Sequence, residues 1–95
     1  MQVVLLRRAR ADLVRLRRFL QPHGEALSQR AVDALFGAAH SLRDFPERGR
    51  PAAKPGYREL IVPFGRRPYV IRYRVDHDRN TVVIVRIWHG RELRN

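Results

Sequence analysis

The sequence predicts an α+β domain in which a helical hairpin covers one face of an antiparallel sheet, in the order β-α-α-β-β-β. Three observations carry that prediction. Two long β-rich runs near the end, Tyr69–Val75 and Thr81–His89, are joined by the short polar link Asp76–Asn80, the pattern of a β-hairpin. Two earlier stretches, Arg8–Leu20 and about Glu25–Arg43, carry apolar residues three and four apart, which marks one face of a helix. The chain of 95 residues supports a single domain, 1–95, so helices and sheet must share one core.

The elements follow in order. Gln2–Leu6 is a short apolar run and reads as the first strand. The first helix presents Ala9, Leu13, Leu16 and Leu20 on one side, with Arg10, Arg15, Arg17 and Arg18 on the remainder. Pro22-His23-Gly24 breaks it. The second helix lines up Leu27, Ala31, Leu35, Ala38 and Leu42. Asp44–Gly56 is punctuated by Pro46, Gly49, Pro51, Pro55 and Gly56 and reads as the loop from helices to sheet, with no domain boundary in it. Tyr57–Pro63 is the next strand and Phe64–Pro68 a turn. Alternation then sends Tyr69, Ile71, Tyr73 and Val75 toward the helices and Val70, Arg72 and Arg74 to the other face. The same rule on the last strand assigns Val83, Val85 and Ile87 to the core and leaves Val82, Ile84, Arg86 and Trp88 outside.

Charge is the second strong feature. There are 20 basic residues against 9 acidic ones, a net of +11, and Lys54 is the sole lysine. A bias toward arginine codons accounts for Arg over Lys but not for the net charge. Such an excess attracts polyanions over roughly 8 Å at physiological salt, which points to a nucleic acid, a nucleic-acid enzyme or an acidic protein as partner. The absence of cysteine excludes disulfides, thiolate chemistry and Cys-ligated metals, and makes the cytoplasm the expected compartment. Gln2–Leu6 is too short for a signal peptide's apolar region, and no later run approaches a membrane span.

Catalytic signatures are sparse. Ser28 and Ser41 sit in the second helix with no histidine placed to activate them, and His23, His40, His77 and His89 have no metal-ligand spacing. Asp76 and Asp78 read as turn formers, and Gly65 and Gly90 stand alone, so neither a metal nor another cofactor is expected. Arg58, Arg72, Arg86, His89 and Arg91 are the one constellation with chemical potential on the open side of the sheet. Guanidinium groups grip phosphate and histidine transfers protons near neutral pH, as an RNA-cleaving site requires. No lysine or tyrosine follows in the tail to supply a second acid or base, so a binding surface is the first reading. Val70, Arg72, Arg74, Ile84, Arg86 and Trp88, in shared outward phase, form the mixed apolar and basic patch expected of a partner site.

The ordered set of motifs resembles the ParE/RelE superfamily of type II toxins. The resemblance rests on Arg8-Ala-Arg-Ala-Asp-Leu13, Phe45-Pro-Glu-Arg-Gly-Arg50, Tyr57-Arg-Glu-Leu60, Val62-Pro-Phe-Gly65, Tyr69-Val-Ile-Arg-Tyr-Arg-Val75 and Trp88-His-Gly-Arg-Glu92. It covers almost the whole chain. RelE-like members are ribosome-dependent mRNA endonucleases using lysines and arginines on the sheet and a tyrosine near the C-terminus, whereas ParE-like members poison DNA gyrase. This chain departs from the RelE pattern: it has Arg58 and Glu59 where a lysine pair is expected, Val70 where an arginine is expected, and no tyrosine in Glu92–Asn95. Arg91 matches the arginine at the end of the last strand. The resemblance therefore implies a non-enzymatic gyrase inhibitor that arrests growth, with His89 and Arg91 as candidate gyrase contacts. It also implies a cognate ParD-like antitoxin that folds onto Val70, Arg72, Arg74, Ile84, Arg86 and Trp88. The alternatives are a RelE-like ribonuclease using Arg58, His89 and Arg91, or a member without toxicity that acts only within an antitoxin-bound complex.

Overall fold

The computed structural model describes residues 1–90 and Glu92. Its elements are β1 (Gln2–Leu5), α1 (Arg7–Leu20), a 3₁₀ turn (Gln21–His23), α2 (Glu25–Ser41), β2 (Arg50–Pro51), β3 (Arg58–Val62), β4 (Tyr69–Asp76) and β5 (Thr81–His89). They form one sheet in the order β1-β5-β4-β3-β2 with both helices packed on it, so the α+β prediction holds. The two-residue edge strand β2, inside the predicted loop, was not anticipated; it is too short for alternation to reveal.

One pairing differs from a wholly antiparallel sheet: β1 runs parallel to β5, with Gln2 opposite Thr81 and Leu5 opposite Ile84. The helical hairpin explains it. α1 runs on along β5, and α2 returns to the end where β1 began, so that the Met1 ammonium donates to the Arg43 carbonyl at 3.3 Å. β3 leaves from that same end, and after the antiparallel β4 the chain in β5 again runs in the direction of β1.

Local chemistry sets the breaks. The helical register ends in the turn carrying Pro22, and Gly24 opens α2 at φ +108°, a conformation that side chains rarely adopt. The core forms between the helices and one face of the sheet: Ala9, Leu16, Ala31, Leu35 and Leu42 meet Leu60, Ile71, Tyr73, Val82, Ile84 and Ile87. Burying each large aliphatic chain there contributes about 1.5–3 kcal/mol.

Tyr73 ties the connecting loop to this core. Its hydroxyl donates to the Pro46 carbonyl at 2.7 Å and accepts the Gly49 N–H at 2.8 Å. A Cβ at Gly49 would lie 2.7 Å from that hydroxyl, so the loop can close on Tyr73 only with glycine there. Burial raises the Tyr73 pKa, and the phenol remains a donor throughout the physiological range. Among the described residues no helix is long and apolar enough to cross a membrane.

Candidate functional site

The site is built around an irregularity in β5. Tyr73 pairs with Ile84 but Arg72 pairs with Arg86, so Val85 is an extra residue, a β-bulge. Alternation reverses across it. Val82 and Ile84 face the helices before the bulge, Ile87 does so after it, and Ile84 is 0% exposed within the helix-side core. The expectation that Val82 and Ile84 point outward and that Val83 and Val85 belong to the core is therefore corrected. Ile84 belongs to the core and not to a partner surface.

Val70, Val83 and Trp88 lie on the face away from the helices, yet they are 5%, 6% and 3% exposed. The apolar members of the expected open patch are thus buried, and so is most of Arg72, whose side chain is 13% exposed against 63% for Arg50. The Arg72 guanidinium lies 5.0 Å over the Trp88 ring and donates to Glu59 Oε2 at 2.9 Å, while Arg50 reaches Glu59 Oε1 at 3.7 Å. Arg74, opposite Val83, is half-buried.

Arg86 instead turns to the strand's edge, where β1 has already ended. There Asp12 of α1 accepts the Ile87 N–H at 2.8 Å and Arg86 Nε at 2.9 Å on Oδ2, and Arg15 Nη2 at 2.9 Å on Oδ1. Arg15 also donates to the Ile87 carbonyl at 3.2 Å. Two helical side chains thereby satisfy the backbone donor and acceptor that a neighbouring strand would have taken. Arg15 further pairs with Glu92, whose Oε1 accepts the His89 N–H at 2.6 Å. Burial works to raise the Asp12 pKa, but the hydrogen bonds from Arg86, Ile87 N–H and Arg15 outweigh it and hold the carboxyl below its ordinary value of 3.8. The same bond to Asp12 raises the Arg86 pKa.

The helical phase of Asp12, between Ala9 and Leu16 on the apolar arc, was the available signal for this clasp. Its partners were not legible, because Ile87 lies 75 positions away.

His89 packs edge-on against Tyr69, with ring centroids 5.2 Å apart. With Arg15, Leu16, Phe19 and Glu92 it lines a cleft of about 290 Å³. Arg58 stands at the other end of the sheet. It pairs with Tyr73, whereas His89 pairs with Tyr69, a separation of roughly 15 Å in backbone position. Its guanidinium is bound to the Gly49 carbonyl at 2.7 Å. The expected grouping of Arg58, Arg72, Arg86 and His89 on one open face is therefore not what the fold brings together. Arg58 and His89 lie on the helix side with Tyr73 and Tyr69, and Arg91 lies outside the described residues. Among the described residues no group of three or more His, Cys, Asp or Glu is placed to hold a metal ion.

A helical hairpin on a five-stranded mixed sheet is the fold of ParE/RelE-type toxins. A family model described as "ParE toxin of type II toxin-antitoxin system, parDE" matches residues 3–94, and the chain belongs to that family. It is 41% identical to Toxin RelE3 of Caulobacter vibrioides over 87 residues, covering 92% of this chain and 91% of that protein. Toxin RelE2 of the same organism is 41% identical over 92 residues, covering 97% and 98%. Among solved structures, a chain of the chromosomal ParDE TA system from P. aeruginosa superposes with a TM-score of 0.76 at 27% identity, covering 92% of each chain. A chain of the toxin–antitoxin complex RelBE2 from Mycobacterium tuberculosis gives 0.58 at 28% identity, covering 93% and 95%.

Proposed function

We propose that this chain is a ParE-branch toxin that acts in the cytoplasm, arrests growth by binding DNA gyrase without catalysing a reaction of its own, and is silenced by a ParD-like antitoxin. The observation that carries the non-enzymatic reading is the separation of Arg58 from His89. A general acid or base and the cation it works with must converge on one phosphate, and these two sit at opposite ends of the sheet. The ParDE neighbour, with its TM-score of 0.76, supports the ParD-like partner. In this reading His89, beside the cleft against Phe19, and Arg91 touch gyrase. The antitoxin lies along the sheet face away from the helices and over its edge, with Arg74 on the face and Arg86 at the edge as charged contacts, and Arg72, Val70 and Trp88 beneath them.

The RelE names of the Caulobacter relatives favour a second reading, mRNA cleavage on the ribosome by Arg58, His89 and Arg91. One experiment separates the two. The purified chain is titrated into a gyrase supercoiling assay, alone and premixed with the antitoxin, and cleaved linear DNA is measured. Loss of supercoiling with trapped DNA, relieved by antitoxin, is the expected result; Arg74→Glu toxin should need more antitoxin for the same relief. Unimpaired supercoiling at micromolar excess, together with message cleavage on ribosomes, would replace this reading with the second.

A further inference from the structure

The solvent face of α1 carries a charge pattern that neither the fold nor the antitoxin surface uses. Arg7 and Arg18 project from the side opposite the buried Ala9, Leu16 and Leu20, with Arg8 on one flank and Arg10 and Arg17 on the other, and all five are exposed. Among the described residues Arg17 pairs with Glu25 at 2.9 Å, whereas Arg7, Arg8, Arg10 and Arg18 have no acidic partner.

This arrangement works against the helix. The first turn contains no acidic residue and begins with two arginines, where the helix dipole favours negative charge. Arg7 and Arg10, like Arg15 and Arg18, are like charges three apart on one face. A preference for arginine codons explains the residue type but not its concentration on this face.

We propose that the solvent face of α1 is a docking surface for the phosphate backbone of duplex DNA, gripped without regard to base sequence by Arg7, Arg8, Arg10 and Arg18. From Arg7 to Arg18 the face is roughly 16 Å long, enough to follow several phosphates of a duplex. Guanidinium groups match phosphate oxygens bidentately. A protein partner is the poorer fit, because protein interface centres accept arginine but set it among aromatic and methionine side chains. Here the residues among the arginines are Ala11 and Val14, and the helix's one aromatic, Phe19, lies at the margin beside the His89 cleft. The face lies on the helix side of the molecule, away from Arg72 and Trp88, so antitoxin and DNA would use separate surfaces.

The proposal is independent of the gyrase reading, since DNA affinity is measured without the enzyme. Fluorescence anisotropy of a labelled duplex of about 20 base pairs, over roughly 50 to 200 mM salt, gives the number of phosphates neutralised from a slope of about −0.9 each. The triple variant Arg7→Gln/Arg10→Gln/Arg18→Gln should lower that slope by two to three units, with at least a tenfold loss of affinity at about 100 mM salt. The variant Arg66→Gln/Arg67→Gln, in the exposed β3–β4 turn, loses the same kind of charge elsewhere and should bind nearly as the parent does. Equal loss in the two variants would mean diffuse charge attraction and overturn the proposal. So would a parent chain that ignores the duplex but binds poly-glutamate in a manner abolished by the triple variant. If circular dichroism shows that the triple variant has lost its helices, the single variants serve instead, each expected to lower the slope by about one.

Discussion

The two halves of β5 are held in different ways. From Thr81 to Ile84 the strand is flanked on both sides by backbone, β1 parallel and β4 antiparallel. From Val85 to His89 no strand pairs on the β1 side among the described residues, and its place is taken by Asp12 and Arg15 of α1 and by Glu92. A backbone ladder is indifferent to side-chain identity and to pH. A clasp of carboxylates and guanidinium groups depends on both. The second half is also the one that carries Arg86, Trp88 and His89, so the segment proposed to meet partners owes its position to ionisable side chains.

The largest test of that contrast is Asp12→Ala. It removes the acceptor of the Ile87 N–H and leaves Arg86 and Arg15 without their shared carboxylate. Both arginines are more than a third exposed, with side chains 36% and 42% accessible, so water recovers part of the loss. A destabilisation of about 2–3 kcal/mol in urea unfolding is expected, and roughly half of that for Asp12→Asn, which keeps a neutral acceptor. Amide exchange should accelerate at Ile87 and His89 while Val82–Ile84 stay protected. Uniform acceleration along β5 would mean that the two halves form one unit.

Acid should do more gently what the mutation does. The Asp12 pKa is depressed in the folded state, so its contribution is fully present above the unfolded value, near 3.8, and is lost as pH falls through the lower folded value. Stability from this group is therefore flat between about pH 5 and 8 and declines below about pH 4. The difference between parent and Asp12→Asn in melting temperature against pH isolates it from the other carboxylates. That difference should close on acidification; a gap that widened in acid would contradict the assigned direction.

Most of this architecture was legible in the sequence, and what was not has local causes. The spacing of Ala9, Leu16 and Leu20, that of Ala31, Leu35 and Leu42, and the alternation of Tyr69, Ile71 and Tyr73 placed both helices and β4 correctly, because each pattern is periodic over enough residues to define a face. The last strand failed because Val82-Val-Ile-Val85 is apolar at every position, so alternation had nothing to read and the bulge at Val85 left no mark. Ile84 was consequently placed on the wrong face. The parallel β1 depends on which way α1 runs along β5, which no local pattern encodes. Arg58 and His89 failed as a pair for a related reason: residue types show what chemistry is possible, whereas register decides what meets.

The smallest expected effect is the most selective. Glu92 adds an outer link to the clasp, accepting the His89 N–H and pairing with Arg15, but its side chain is 31% exposed and that of Arg15 42%. Water and salt replace such contacts at little cost, so Glu92→Ala should lose less than about 1 kcal/mol. Asp12 and Arg15 still hold both backbone groups of Ile87, and its amide should remain protected. Only the His89 amide should exchange faster. A clasp built from the inside outward predicts this gradient, steep at Asp12 and shallow at Glu92. If Glu92→Ala were as destabilising as Asp12→Ala, the end of β5 would be held from the tail instead of from α1.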